Sequence, residues 1–151
     1  MAKFCNHCHR LYEGDRCNCR RDTTAKRNIY HKKFYDSPAW RSLSRYIRTR
    51  DYNMDRLCLY FSRRGRPDSK VGVRLHDFIL DATTGQARAF PGVLLVHHIV
   101  PREEDYTRQY EIDNLITLNS TVHEYIHQLY GTPDKAEVQR ILQDAVQATL
   151  P

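Results

Sequence analysis

The stretch Val96–His127, "VHHIVPREEDYTRQYEIDNLITLNSTVHEYIH", decides how this chain is read. It opens on an apolar, β-branched run that ends at Pro101 and is interrupted by two adjacent histidines, His97 and His98. Neighbouring side chains on a strand point to opposite faces, so the two imidazoles cannot serve one pocket. A polar loop follows, then the short apolar piece "NLITL" and a helix. On that helix His123 and His127 are four residues apart and share one face. Two imidazoles at that spacing can hold one divalent ion, and either His97 or His98 can supply a third nitrogen from the strand.

The two directions of the strand pair also divide a chemical task. Hydrolysis of a phosphodiester needs a base to take a proton from water and a metal to stabilise charge on the phosphate and the leaving oxygen. Imidazole suits the first task because it titrates near neutral pH. A base must stay off the metal, since a coordinated nitrogen cannot accept a proton.

The order His-His-Ile-x-Pro, then Asp-Asn-Leu, then His-x-x-x-His resembles the HNH endonucleases, whose fold is a ββα-metal finger. The likeness extends upstream. "KFYDSPAWRSLSRYIRTRD", Lys33–Asp51, resembles the helix that precedes the nuclease core in phage-encoded members. "FCNHCHRLYEGDRCNCRRD", Phe4–Asp22, resembles their N-terminal cysteine module. Residues 3–130 are covered in order, although the motif itself occupies only 96–127. The resemblance implies metal-dependent hydrolysis of DNA, leaving 5′-phosphate and 3′-hydroxyl ends. By position it implies a metal ligand at His97, the general base at His98, a metal ligand at His123 and a further ligand at His127. Asn114 takes the place of the central asparagine, which ligates metal in some members and braces the base-bearing loop in others. The implied catalytic ion is one of Mg²⁺, Mn²⁺, Ni²⁺ or Zn²⁺.

The chain also departs from that pattern. Many phage members carry two Cys-x-x-Cys pairs around the core that hold a structural zinc. Here Cys58, in "LCLYFS", has no partner cysteine, and Asn119 and Val122 stand where the second pair is expected. An internal zinc is therefore not expected, and strand packing within 62–93 is expected in its place. Cys58 then reads as a small buried apolar residue.

Composition frames the rest. The 151 residues carry 24 Lys and Arg against 18 Asp and Glu, a net charge of +6. The isoelectric point is near 9.2 and the mean hydropathy −0.71. Such a balance favours a polyanionic partner, most often nucleic acid, which the resemblance narrows to double-stranded DNA. No apolar run approaches the ~18 residues of a membrane span, and "MAKFCNHCHR" lacks the apolar centre of a signal peptide. The expected location is the cytoplasm, of the host if the chain is phage-encoded, where five cysteines point to metal before disulfides. Cys5, Cys8, Cys17 and Cys19 can close a structural zinc site, with His7 or His9 able to replace one thiolate of the tight second pair. Arg10, Arg16, Arg20 and Arg21 beside it can touch DNA.

The expected architecture is α+β: a ββα-metal nuclease core preceded by a helix and a zinc-binding module, with a C-terminal helix. The divisions are 1–21 for the module, 22–33 for a basic connector, 34–131 for the nuclease domain with its core at 91–130, and 132–151 for the last helix. Ser37 caps the first helix and Pro38 opens it. Trp40, Leu43 and Ile47 face the core, while Arg41, Arg45 and Arg48 line another face and fit phosphate contact. Ser62–Gly72 reads as an exposed loop. "VRLHDFILD" and "ARAFPGVLLV" read as two strands around a turn near Gly85. His76 there reads as structural. Ser120 or Thr121 is the expected cap of the next helix, with Thr121 and Glu124 as a capping box. Gly131 ends it and Pro133 starts the last helix, whose Val138, Ile141, Leu142, Ala145 and Val146 pack on the domain or on a second copy.

Three functions compete. A phage-type HNH endonuclease would nick DNA as a monomer or cut both strands as a homodimer, and by family analogy works beside terminase subunits. A non-catalytic zinc protein that binds nucleic acid would use the same charge and cysteines. A colicin-type toxin nuclease would need a delivery domain that these residues do not contain.

Overall fold

The computed structural model describes residues 1–4, 10–15 and 32–150. The cysteine module, with Cys5, Cys8, Cys17, Cys19, His7, His9, Arg16, Arg20 and Arg21, lies outside the described residues, as does most of the connector. Two compact units divide the chain, 1–41 and 42–151. In the first, β1 (Lys3–Phe4) pairs antiparallel with β2 (Leu11–Tyr12). A helical turn covers 32–35, and Phe34 packs against Tyr35 and Trp40 at ring separations of 5.0 and 5.1 Å.

Helix α1 (Pro38–Arg50) starts where the sequence places it, with the Ser37 hydroxyl accepting the Trp40 amide at 3.1 Å. Trp40 and Ile47 are buried and Leu43 is half-buried. Then come α2 (Arg56–Arg64), α3 (Lys70–Ile79), β3 (Leu94–His98), β4 (Leu115–Asn119), α4 (Ser120–Tyr130) and α5 (Lys135–Gln147). The architecture is mixed α and β, with two small antiparallel sheets.

The segment read as a strand, "VRLHDFILD", instead belongs to helix α3 as far as Ile79. Ser69 caps it by accepting the Gly72 amide at 3.1 Å. Val71, Leu75 and Ile79 fall at a spacing of four and are all buried, a helical stripe that the β-branched composition concealed. Gly72 lets the Pro67 ring close over the helix start, since a Cβ there would lie 2.7 Å from Pro67 Cγ. The expected loop 62–72 shrinks to about five residues, because α2 runs to Arg64 and α3 begins at Lys70. The turn at Gly85 is present, with φ +70°, but a single bridge, Leu80 to Ala87, takes the place of a hairpin.

β3 and β4 form the ribbon, in register from Leu94 opposite Asn119 to His98 opposite Leu115. A lone two-stranded ribbon is marginal in water. Here α4 packs on both strands, while α2 and α5 pack on β4. Ile116, Leu118, Val122, Ile126, Leu142 and Ala145 belong to one apolar core with Leu57, Phe61 and Leu75. The stripe on α5 therefore packs on its own domain.

The expected strand packing in place of a zinc clamp is also replaced. Asp51 and Asp55 accept the outward amides of β4, Thr117 at 2.9 Å and Asn119 at 2.8 Å. Asp55 also caps α2 through the Cys58 amide at 2.8 Å. Asp51 in turn holds Arg50, in a two-pronged pair at 2.8 and 2.9 Å, and Arg56. Arg56 closes the C-terminal end of α5 by donating to the carbonyls of Ala145, Val146 and Ala148. Cys58 is half-buried, and with Asn119 and Val122 it lines one cavity of about 280 Å³.

Candidate metal centre

His97 sits near the end of β3, on the face it shares with Ile116 directly opposite. That face meets α4. The ring of His97 stands 5.0 Å from His123 and 5.3 Å from His127, edge to face with both. Helix α4 brings the latter two together one turn apart, with Nε2 to Nε2 at 2.9 Å. The three can each offer a nitrogen within 4.8 Å of the others.

The cap that aims this helix is Asn119, whose side chain accepts the Thr121 amide at 2.8 Å, and not Ser120 or Thr121. Those two hydroxyls are spent elsewhere. Ser120 accepts the Val93 amide, and Thr121 donates to the Pro91 carbonyl at 2.9 Å. They lock the helix start to the segment entering β3. Gly131 ends the helix as expected.

The donor set fits a divalent ion of borderline softness. Nitrogens of a tetrahedral site with bonds of about 2.0–2.1 Å stand about 3.3 Å apart, so His123 and His127 need to separate by only a few tenths of an ångström. Electrostatics favour it too. Burial, then the neighbouring imidazoles, holds His97 well below the usual histidine value. Burial, then His127, lowers His123 to about 4. Both are neutral near pH 7, so an ion entering there displaces no proton from them.

His98 faces the other way. Its Nε2 lies 3.0 Å from the carbonyl oxygen of Gln109, which can only accept. Nε2 therefore carries the hydrogen and Nδ1 the lone pair. Burial lowers the value of His98, with the Gln109 hydrogen bond opposing.

Asn114 is fully buried between the two strands. Its Oδ1 accepts the Val100 amide at 2.8 Å, and its Nδ2 donates to the carbonyls of Val100 and Arg108 at 3.2 Å each. All three bonds go to backbone of the loop that follows His98. Arg50 supports the same region by donating to the carbonyls of Ile112 and Leu115 at 2.8 and 2.7 Å.

The remaining sequence candidates lie on other elements. Arg41 and Arg45 are exposed and Arg48 half-buried on α1, not on the elements that carry the imidazoles. His76 is buried, bonded to Asp77 at 2.8 Å and set edge-on to Phe61, a structural placement.

Sequence reasoning missed Tyr130. It lies seven residues after His123 and three after His127, which places it on the same face of α4. Its hydroxyl is 3.2 Å from His97 Nε2 and donates to the Ile99 carbonyl at 2.7 Å. Burial, with Glu104 nearby, raises its value above that of an ordinary phenol, so it stays protonated. The helical spacing was a usable signal.

No family model, curated protein or solved structure matches the chain. Among the described residues, no helix is long and apolar enough to cross a membrane.

Proposed function

We propose that this chain is a metal-dependent endonuclease of the HNH type, hydrolysing phosphodiester bonds of double-stranded DNA. One observation carries the reading. His97 converges with His123 and His127, while its neighbour His98 is turned to a backbone carbonyl that fixes its tautomer. Further support is the meeting of Cys58, Asn119 and Val122 at one cavity, three positions that the resemblance matches to the cysteine pairs of zinc-bearing HNH proteins.

In this reading His97, His123 and His127 hold the ion. When bound, it supplies Lewis-acid charge to the phosphate and the departing 3′-oxygen. His98 receives a proton from water at Nδ1 as the water oxygen bonds to phosphorus. The bond from phosphorus to the 3′-oxygen breaks, that oxygen leaves and takes a proton from solvent water to become a 3′-hydroxyl, and His98 returns its proton to solvent. Asn114 braces the loop that holds Gln109 and so keeps His98 aimed. Arg41, Arg45 and Arg48 contact phosphates. Cys5, Cys8, Cys17 and Cys19 hold a structural zinc. The setting is the cytoplasm of a phage-infected cell, with terminase subunits and a second copy of the chain as further partners.

Supercoiled plasmid, incubated with the protein and Mg²⁺, Mn²⁺, Ni²⁺ or Zn²⁺, tests this. Nicked or linear product with 5′-phosphate ends is expected, and its rate should fall about 10²–10⁴-fold in His98→Ala. Salt-sensitive DNA binding without hydrolysis under any of these metals would instead favour a non-catalytic zinc protein.

A further inference from the structure

The hydroxyl of Tyr130 has one proton, and the structure commits it to the Ile99 carbonyl at 2.7 Å. The same oxygen can then only accept from His97 Nε2, 3.2 Å away. Nε2 thus carries the hydrogen, and Nδ1 is left with the lone pair. The Ile99 carbonyl is itself held by a second donor, Gln139 Nε2 at 3.0 Å from α5. The acceptor that orients Tyr130 is therefore fixed from two helices. Tyr130 also packs against two of the imidazoles, at ring separations of 5.5 Å from His97 and 6.0 Å from His127.

We infer that Tyr130 is a positioning residue that fixes the tautomer and orientation of His97 and so sets the affinity of the three-histidine site for a divalent ion. The inference rests on the metal-site reading above. A partner of this kind raises the basicity of a ligating imidazole and removes its rotational freedom, and losing one typically costs 10–100-fold in affinity.

The chain Ile99–Tyr130–His97 also ties the exit of β3 to the ligand. Ile99 is buried and stands next to His98. One hydroxyl therefore aligns the strand that carries both the expected ligand and the expected base.

The test uses the full chain with its N-terminal zinc loaded, and Tyr130→Phe, which keeps the ring and removes only the hydroxyl. Long-range ¹H–¹⁵N correlation of the imidazoles, with the three-histidine site metal-free, reads the tautomer directly. Wild type is expected to show His97 with hydrogen on Nε2, and Tyr130→Phe to lose that preference. Co²⁺ titration followed by visible absorbance should then show affinity 10–100-fold weaker in the variant, with the melting temperature before Co²⁺ addition nearly unchanged. Hydrogen on Nδ1 of His97 in wild type, or Co²⁺ affinity within twofold between the two proteins, overturns the inference. Absence of any Co²⁺ site in wild type would overturn the metal reading, and with it the affinity role, while the tautomer spectrum still judges the hydrogen bond. If Tyr130→Phe does not fold, the wild-type tautomer decides.

Discussion

The Nε2 hydrogen of His98 is held by the carbonyl oxygen of Gln109 at 3.0 Å, eleven residues away along the chain. That bond presents Nδ1 as the basic nitrogen. Burial lowers the value of His98 below 6.5, so the basic form persists at mildly acid pH. The acid limb of kcat/KM for plasmid cleavage should therefore lie below pH 6.5. His98→Ala should lower kcat by about 10²–10⁴-fold with Co²⁺ affinity retained. A limb above pH 7 would contradict the assignment.

Asn114 separates a brace from a ligand. Replacing it with alanine strands the Val100 amide and the carbonyls of Val100 and Arg108. A loss of roughly 3 kcal/mol in urea unfolding is expected from three buried groups left partly unsatisfied. Metal affinity measured at low temperature should fall far less than in His123→Ala. If the two variants lose affinity equally, Asn114 is a ligand.

Metal added to the three-histidine site should stabilise the fold by mass action. At a free concentration of 100 Kd the gain is about 2.7 kcal/mol, a rise in Tm of roughly 10 °C for a domain of this size. The rise should disappear in His97→Ala, His123→Ala and His127→Ala. Calorimetry with Zn²⁺ or Ni²⁺ makes the comparison. An unchanged rise in these three variants would move the site elsewhere.

Stability in the absence of added metal should fall as pH drops from 6.5 toward 4. The folded values of His97 and His123 lie below that of a free histidine, His123 near 4. Between those pH values the unfolded chain binds more protons, so stability rises with pH across the window and is lost below it. Asp55 acts in the opposite sense, because burial raises it from 3.8 to about 6 and the folded state takes up a proton first. His123→Ala should flatten the curve and Asp55→Ala should steepen it. Denaturant melts at four or five pH values between 4 and 7 read both slopes.

Asp55→Ala should also cost roughly 2 kcal/mol at pH 7. It removes the cap of α2 and orphans the Asn119 amide on the edge of β4, while relieving the desolvation of a buried carboxylate. Since Asn119 caps α4, a selective loss of protection in amide exchange at the start of that helix is the specific sign.

The sequence by itself determined the chemistry-bearing pieces of unit 42–151. Period two in β3 sends His97 and His98 to opposite faces, and a spacing of four puts His123 and His127 on one. Ser37 before Pro38 and Gly131 after Tyr130 marked helix ends, because caps are written in adjacent residues. Helix α3 was hidden because its β-branched residues and the nearby turn resemble a hairpin, and only packing of Val71, Leu75 and Ile79 into the core shows the helical period winning. The tertiary structure alone decided what depends on partners distant in the chain. It gave Asn119 the cap by drawing Ser120 and Thr121 back to 91–93. It brought Asp51 and Asp55 to the edge of β4, some 64 to 66 residues onward. It set the Gln109 carbonyl against His98 and the Tyr130 hydroxyl against His97. Hydrogen bonds of that range follow from how the helices close over the ribbon; helical spacing puts Tyr130 on the histidine face, but no local pattern in the chain names the partner of its hydroxyl.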